Sequence, residues 1–128
     1  MCDSVVGSEH QLRLLSALAE LVTSSAPVDA TLHAALRLMA QYLRMMRGAV
    51  TLISPRSGEI RIEAAYGLKP AEARRGRYAL GEGITGQVIA TGRPMFISQV
   101  SREPRFLNRT RSRNLGKEDI SFICVPIL

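Results

Sequence analysis

Residues 80–100 read LGEGITGQVIATGRPMFISQV, and this stretch decides the fold. It places Gly81, Gly83 and Gly86 within six residues, which is typical of a tight bend that needs positive φ or a close backbone approach. The apolar run that follows predicts a helix over 83–91. A Gly-Arg-Pro break then separates this helix from a short strand predicted at 95–98.

The glycine spacing also has to be compared with two phosphate-binding motifs. A P-loop carries Lys and then Ser or Thr after its last glycine, whereas Gln87 follows Gly86 here. The dinucleotide fingerprint Gly-x-Gly-x-x-Gly matches by spacing, but it requires a buried parallel strand before the bend and an acidic residue about 20 positions later. The segment before Gly81 is short and its sheet is expected to be antiparallel, so the sequence disfavours nucleotide binding.

Two amphipathic helices are predicted ahead of the sheet. A capping-box pattern, Ser8 and Gln11, starts the first helix, whose apolar residues recur at spacings of three and four: Leu12, Leu15, Ala19 and Val22, widened by Leu14, Leu18 and Leu21. This broad stripe must bury against the chain's own sheet or another copy of the chain. The second helix is predicted to begin at an N-cap Asp29 and to carry the stripe Leu32, Leu36, Met39, Leu43 and Met46.

The apolar period changes to two after Gly48, which predicts strands. Residues 49–54 and 59–66 are expected to form a hairpin, followed by a short helix within 67–75 and a brief strand at 76–79. Residues 120–128 are almost entirely apolar after Ser121, which is typical of a strand covered on both faces. We expect a single α+β domain over 1–128 with an antiparallel sheet. Because an apolar edge strand invites pairing, we also expect a C-terminally truncated fragment that lacks a further strand and helix.

The composition is that of an ordinary globular domain with excess positive charge. Seventeen Lys and Arg against eleven Asp and Glu give the 128 residues a net charge of +6. Six basic residues fall within 102–117 and leave nucleic-acid binding open as an alternative: Arg102, Arg105, Arg109, Arg111, Arg113 and Lys117. No run approaches the roughly 20 apolar residues of a membrane span, so we expect no membrane partner and a cytoplasmic location.

Catalysis has little support in the sequence. His10 and His33 lie near no plausible nucleophile, and no metal-ligand spacing occurs. His33 is expected to be a solvated helix residue, and Cys124 a buried, inert thiol in the last strand. We therefore expect no enzyme activity, no metal and no cofactor.

The order helix, helix, hairpin, glycine bend, EPRF loop and SFICVPIL strand resembles a GAF domain over nearly the whole chain. In that family Gly-x-Gly-[Ile/Leu]-x-Gly-x-[Val/Ala] precedes a helix, Gly-x-Pro and a strand, as it does here from Gly81 to Phe96. LGEGITGQVIATGRPM with EPRFLNRT is more narrowly similar to the N-terminal domain of NifA-type, sigma-54-dependent activators of nitrogen-fixation genes. The resemblance implies N-terminal helices on one sheet face, and on the other a lid of short helix and loop over a space for a small regulatory ligand.

For such activators the resemblance implies a sensory domain that controls a downstream AAA+ ATPase, with a DNA-binding domain beyond it, in a homodimer. It implies 2-oxoglutarate as a ligand in some members and a NifL-like protein as a partner. Basic groups, hydroxyls and the helix start near the bend are the expected ligand contacts: Tyr66, Arg75, Arg77, Tyr78, Gly83, Thr85, Arg102 and Arg105. Some GAF-fold proteins reduce methionine sulfoxide with pocket cysteines, and Cys124 is the mid-domain candidate for this weaker alternative.

Overall fold

The computed structural model describes residues 2–111 and 120–127, with side chains from residue 7 onward. Its helices and strands follow one another in this order: α1 Cys2–Val22, α2 Val28–Leu43, β1 Gly48–Ile53, β2 Ile60–Tyr66, α3 Pro70–Arg75, β3 Arg77–Tyr78, α4 Gly83–Thr91, β4 Met95–Ile97 and β5 Phe122–Cys124. One sheet has the strand order β1-β2-β3 and a second pairs β4 with β5. The β2–β3 and β4–β5 pairs are antiparallel, which confirms the predicted α+β class.

The residues cluster into two compact units. The first contains Met1–Val50 and Glu63–Leu68, and the second contains Thr51–Ile62 and Lys69–Leu128. In the part of the chain that the structure describes, no helix combines the length and the apolarity needed to cross a membrane.

Helix α1 corrects one prediction, the position of its N-terminus. It begins at Cys2, so Ser8 lies inside the helix and is not an N-cap. Within this single chain part of the predicted stripe is exposed, since Leu12, Leu15 and Val22 are 66%, 61% and 67% exposed, which leaves burial against another copy as the open alternative. Leu14, which belongs to the same widened stripe, is buried. The seven apolar positions fit two overlapping helical faces by spacing, and spacing alone cannot choose the face that packs.

Helix α2 contacts α1, and its predicted residue Leu36 is buried together with Ala40. The Asp29 cap is wrong, because Pro27 precedes the first helical residue and Asp29 lies in the first turn. The stripe also ends early, since the helix stops at Leu43 with Arg44 in the left-handed conformation. Leu43 and Met46 are therefore exposed.

A histidine links the two helices. His10 Nε2 lies 2.6 Å from the Tyr42 carbonyl oxygen, and the two rings are 4.8 Å apart. A carbonyl can only accept, so this nitrogen carries the hydrogen.

The second unit is built around a small apolar core, with Ile60, Ile84, Val88 and Val100 at most 2% exposed. The predicted hairpin is confirmed to within a residue or two at each end. Its turn closes through the Ser54 amide, which donates to the Glu59 carbonyl at 2.9 Å. The short strand β3 then extends the sheet from β2.

The β4–β5 sheet corrects the expectation for the last strand. Strand β5 covers three residues rather than 120–128, and Phe96 stands opposite Ile123. Side chains on alternate positions are exposed, with Ile123, Val125 and Ile127 at 65%, 58% and 77%. The strand is therefore not covered on both faces, because only one of its two faces packs in the described chain.

Candidate functional site around the glycine bend

The glycine bend has the backbone that its sequence predicts. Gly81 and Gly83 have φ of 83° and 64°. The Gly81 amide donates to the Gly86 carbonyl at 2.9 Å, which closes the bend onto α4. A Cβ atom on Gly86 would lie 2.5 Å from the Ala79 carbonyl oxygen. Gly81 and Gly83 therefore adopt the positive φ that the bend requires, and Gly86 allows the close approach of the backbone. Helix α4 spans Gly83–Thr91 as predicted.

A small cavity of about 30 Å³ lies beside the bend; it is partly open, and it is called the closed cavity to distinguish it from the more open groove described next. It is lined by Tyr78, Ile84, Thr85, Phe106, Leu107, Asn108, Arg109, Thr110 and Phe122. This volume is about the share of one water molecule in the liquid. The hollow expected behind the bend is present, but in this conformation it is too small for a keto acid.

Two apolar side chains of the loop line the cavity beside the bend. The Phe106 ring stacks edge-on against Phe122 with centroids 5.1 Å apart. The Leu107 side chain approaches to 3.0 Å from the position that a Cβ on Gly83 would occupy. The loop therefore packs its own side chains where a ligand was expected.

An open groove of about 370 Å³ lies next to the closed cavity. It is lined by Ser57, Gly58, Glu59, Arg77, Tyr78, Ala79, Glu82 and Arg109. Sequence reasoning named Arg77 and Tyr78 here but missed Glu82 and Arg109. Each residue lies in a segment that the sequence singles out, Glu82 in the glycine bend and Arg109 in the basic loop. Nothing in the sequence indicates that the two side chains contact each other.

The loop that closes the cavity is tied down by two arginines. Arg109 Nη2 lies 2.7 Å from Glu82 Oε1. Arg75 donates to the Thr110 carbonyl from Nε at 3.1 Å and from Nη2 at 2.6 Å. A neutral carbonyl paired with a guanidinium gives a charge-assisted bond, so Arg75 holds the loop as well as being an expected ligand contact.

The remaining expected contacts are more scattered. Arg105 donates from Nε to Glu103 Oε2 at 3.0 Å, and hydrogen bonds from the Arg105 side chain and amide lower the pKa of Glu103 to about 2. Arg102 is exposed at the end of a short 3-10 turn, Val100–Arg102. Tyr66 ends β2, in the first unit. The structure thus brings Tyr78 together with Thr85 at the cavity and with Arg77 at the groove.

The basic loop is partly neutralised by these contacts. Arg105 and Arg109 each pair with a glutamate. Arg113 and Lys117, also expected in the basic cluster, lie outside the described residues. No observation on the described part of the loop favours nucleic-acid binding over these internal pairs.

The residues with catalytic potential are few. Cys124 is half-buried, and burial raises the pKa of its thiol against a smaller opposing hydrogen bond with Thr85, which disfavours the reactive thiolate. His33 Nδ1 lies 2.9 Å from the Asp29 carbonyl oxygen of its own helix. Among the described residues, no group of three His, Cys, Asp or Glu side chains could hold a metal ion.

Sequence comparison points to regulators of nitrogen fixation. The chain is 43% identical over 119 residues to the nitrogen fixation protein VnfA of Azotobacter vinelandii, a match that covers 91% of this chain and 23% of that protein. It is 36% identical over 111 residues to the Nif-specific regulatory protein of Herbaspirillum seropedicae, covering 86% of this chain and 20% of that protein. The chain therefore spans about a fifth of the length of these relatives.

Solved structures show the same fold. The GAF domain of A. aeolicus nlh2 in an inactive state aligns with a TM-score of 0.73 at 21% identity, over 85% of this chain and 67% of that one. The GAF domain of a phosphoenolpyruvate-protein phosphotransferase from Coxiella burnetii aligns with a TM-score of 0.79 at 21% identity, over 94% and 70%. A free methionine-R-sulfoxide reductase from Neisseria meningitidis aligns with a TM-score of 0.64 at 19% identity, over 79% and 57%. At these identities the likeness concerns the fold alone.

The family profile of the GAF domain matches residues 27–128, which include the glycine bend, both cavities and every expected ligand contact. With the α+β architecture and the two glycines at positive φ, this match settles the family. The chain belongs to the GAF domain family.

Proposed function

We propose that the chain is the sensory GAF domain of a NifA-type, sigma-54-dependent activator of nitrogen-fixation genes. The observation that carries the proposal is the 43% identity to VnfA over 91% of the chain, within only 23% of that protein. A match of this kind supports one domain of a longer regulator. The domain acts in the cytoplasm without catalysis and controls a downstream AAA+ ATPase, with DNA binding left to a further domain.

The proposed signal is a small anion, with 2-oxoglutarate as the first candidate. The expected contacts remain Tyr66, Arg75, Arg77, Tyr78, Gly83, Thr85, Arg102 and Arg105. Arg77 and Tyr78 support this choice most directly, because they line the groove large enough for a five-carbon acid. A ligand can shift the balance between inhibited and active arrangements only by binding one of them more tightly.

A second copy and a NifL-like protein are the proposed macromolecular partners. The exposed apolar residues of α1 recur at the three- and four-residue spacing of a helix-pairing seam: Leu12, Leu15, Ala19 and Val22. This face supports a homodimer through α1. Leu15→Glu should shift the chain towards the monomer in sedimentation equilibrium, whereas Glu20→Gln, on the same helix, should not.

The regulatory role is tested by exchanging domains. Residues 1–128 replace the matched segment of VnfA, and transcription from a VnfA-dependent nitrogen-fixation promoter is measured with and without fixed nitrogen. The exchanged protein should activate the promoter in a regulated manner. Equal activity under both conditions, with the protein present at the normal level, would refute the sensory role.

Ligand binding is tested separately by isothermal titration of the chain with 2-oxoglutarate. Arg77→Ala should weaken binding by about 10-fold or more, because a charge-assisted hydrogen bond contributes roughly 1.5–3 kcal/mol. Arg93→Ala removes an exposed arginine that lines neither cavity and serves as the control. No heat with the wild-type chain would exclude this ligand and leave the partner protein as the signal.

A further inference from the structure

The closed cavity and the open groove share a charged side chain. Arg109 lines both, and its Nη2 atom lies 2.7 Å from Glu82 Oε1. Glu82 directly precedes the first residue of α4. Phe106 and Leu107, which line the cavity beside the bend, lie three and two residues before Arg109, respectively. One ion pair therefore connects the loop that fills the cavity with the start of the helix that covers it.

This ion pair is of the kind that exchanges partners easily. The side chains of Arg109 and Glu82 are 42% and 40% exposed. At that exposure solvent screens the charges, and the pair adds little stability. A ligand that offers two oxygens in one plane would give the guanidinium a bidentate partner, which is a stronger arrangement than a single contact with Glu82.

The groove supplies a second guanidinium. Arg77 lines it, and within the described residues it makes no ion pair within 4 Å. The nearby Glu59 is already hydrogen-bonded by Arg61, and this bond is the main reason that its pKa is lowered. The groove can therefore offer two arginines to one ligand if Arg109 leaves Glu82.

We propose that the groove binds a small dianion between Arg77 and Arg109, and that binding transfers Arg109 from Glu82 to the ligand. The inference rests on the proposed function, since it assigns a place and a consequence to anion binding there. After the transfer, Glu82 faces negative charge without its counterion, which favours movement of the start of α4. Residues 106–110 lose this ion pair with the start of α4, while Arg75 still holds Thr110. The ligand thus loosens the lid from outside the closed cavity.

Affinity measurements separate this exchange from simple charge attraction. The chain is titrated with 2-oxoglutarate as the dianion and with 2-oxobutyrate as a monoanion of similar chemistry. Arg109→Gln should weaken dianion binding by about 10-fold or more, because it removes charge-assisted hydrogen bonds. Glu82→Gln should tighten it by about 3-fold, because it removes a competitor of modest strength. Arg93→Gln should leave it unchanged, and the monoanion should bind more weakly throughout.

Amide hydrogen exchange reports the loosening itself. In the wild-type chain, 2-oxoglutarate should accelerate exchange at Ile84 and Leu107, whereas a purely structural role for the pair predicts protection or no change. In Glu82→Gln these amides should exchange faster before any ligand is added, and the ligand should add little. Should Arg109→Gln fail to fold by circular dichroism, Arg109→Lys, which keeps the charge but loses the bidentate geometry, should give intermediate affinity.

The outcomes also separate this inference from the proposed function. Dianion binding that is unaffected by both Arg109→Gln and Glu82→Gln would overturn the exchange and leave the sensory role intact. If neither 2-oxoglutarate nor 2-oxobutyrate binds, both the exchange of Arg109 and the proposal that a small anion is the signal would be overturned. The promoter experiment would still decide whether the domain is regulatory.

Discussion

Helices α4 and α1 are both apolar, but they are buried very differently. Four of the nine residues of α4 are buried: Ile84, Thr85, Gly86 and Val88. In α1, which has 21 residues, Leu14 is the buried leucine while Leu12 and Leu15 are more than 60% exposed. The short helix carries the core of its unit, and the long one leaves a leucine-rich face open.

The difference shows what kind of sequence signal determines a helix. The ends of α4 are set by the backbone, since Gly83 begins it and Gly92, with φ of 68°, ends it by donating to the Val88 carbonyl at 2.8 Å. The extent of α1 depends on side chains whose spacing suits more than one face. Glycines at the ends of a helix determine its bounds, whereas many leucines at helical spacing do not determine which face of the helix is buried.

The largest expected effect tests the buried face of α1. Leu14→Ala should lower the free energy of unfolding by about 2–5 kcal/mol, because it removes a packed side chain and leaves a cavity. Leu15→Ala, one position away and 61% exposed, should change it by about 0.5 kcal/mol or less. Urea denaturation at a concentration where the chain is monomeric gives both values. Equal losses would mean that α1 packs on both faces.

A glycine in each helix gives the next test, with effects of opposite sign. Gly86→Ala should cost about 1–3 kcal/mol of unfolding free energy, because the new methyl group meets backbone atoms that cannot move aside. Gly7→Ala in α1 should raise stability by about 0.5–1 kcal/mol, because nothing lies within 4 Å of the added methyl group and alanine favours the helix. Thermal unfolding of the two variants checks this. Stabilisation by Gly86→Ala would show that the bend is looser than its hydrogen bonds indicate.

The smallest effect concerns the loop next to α4, through the acid titration of Glu103. Hydrogen bonds from Arg105 lower the pKa of Glu103 from 4.5 to about 2 in the folded chain. Its contribution to stability is therefore present above pH 4.5 and is lost as the pH falls towards 2. A carbon-13 NMR titration of the carboxylate should give the lowered value, and Arg105→Gln should raise it towards 4.5. A normal pKa in the wild-type chain would show that the pair does not persist in solution.

Much of the fold could be predicted because glycine and proline mark where elements end. The hairpin, β3, α4 and β4 all lie within a residue or two of their predicted bounds, and each is flanked by Gly or Pro. Helix starts without such a marker were misplaced. Asp29 looks like a cap by residue type, but Pro27, whose fixed φ suits the position before a helix, takes that place.

The site was harder to predict because it depends on contacts between distant residues. Arg77 and Tyr78 lie close to the glycine bend in sequence and could be named from it. The Arg109–Glu82 pair joins residues 27 positions apart, and the Arg75–Thr110 bond joins residues 35 apart. Nothing in composition or spacing reveals which of the clustered arginines reaches a given carboxylate. The small size of the closed cavity is likewise a result of packing by Phe106 and Leu107, which a motif does not encode.

The outward pair Phe96 and Ile123, 69% and 65% exposed, matters for anyone who purifies the chain. Side chains of this size on a two-stranded sheet form an apolar patch that is exposed to solvent. Concentrated stocks should adsorb to plastic and aggregate on storage. A fluorescent dye that binds exposed apolar surface should bind this patch even when the chain is fully folded. Solution experiments should therefore use dilute samples or the variant Phe96→Ser.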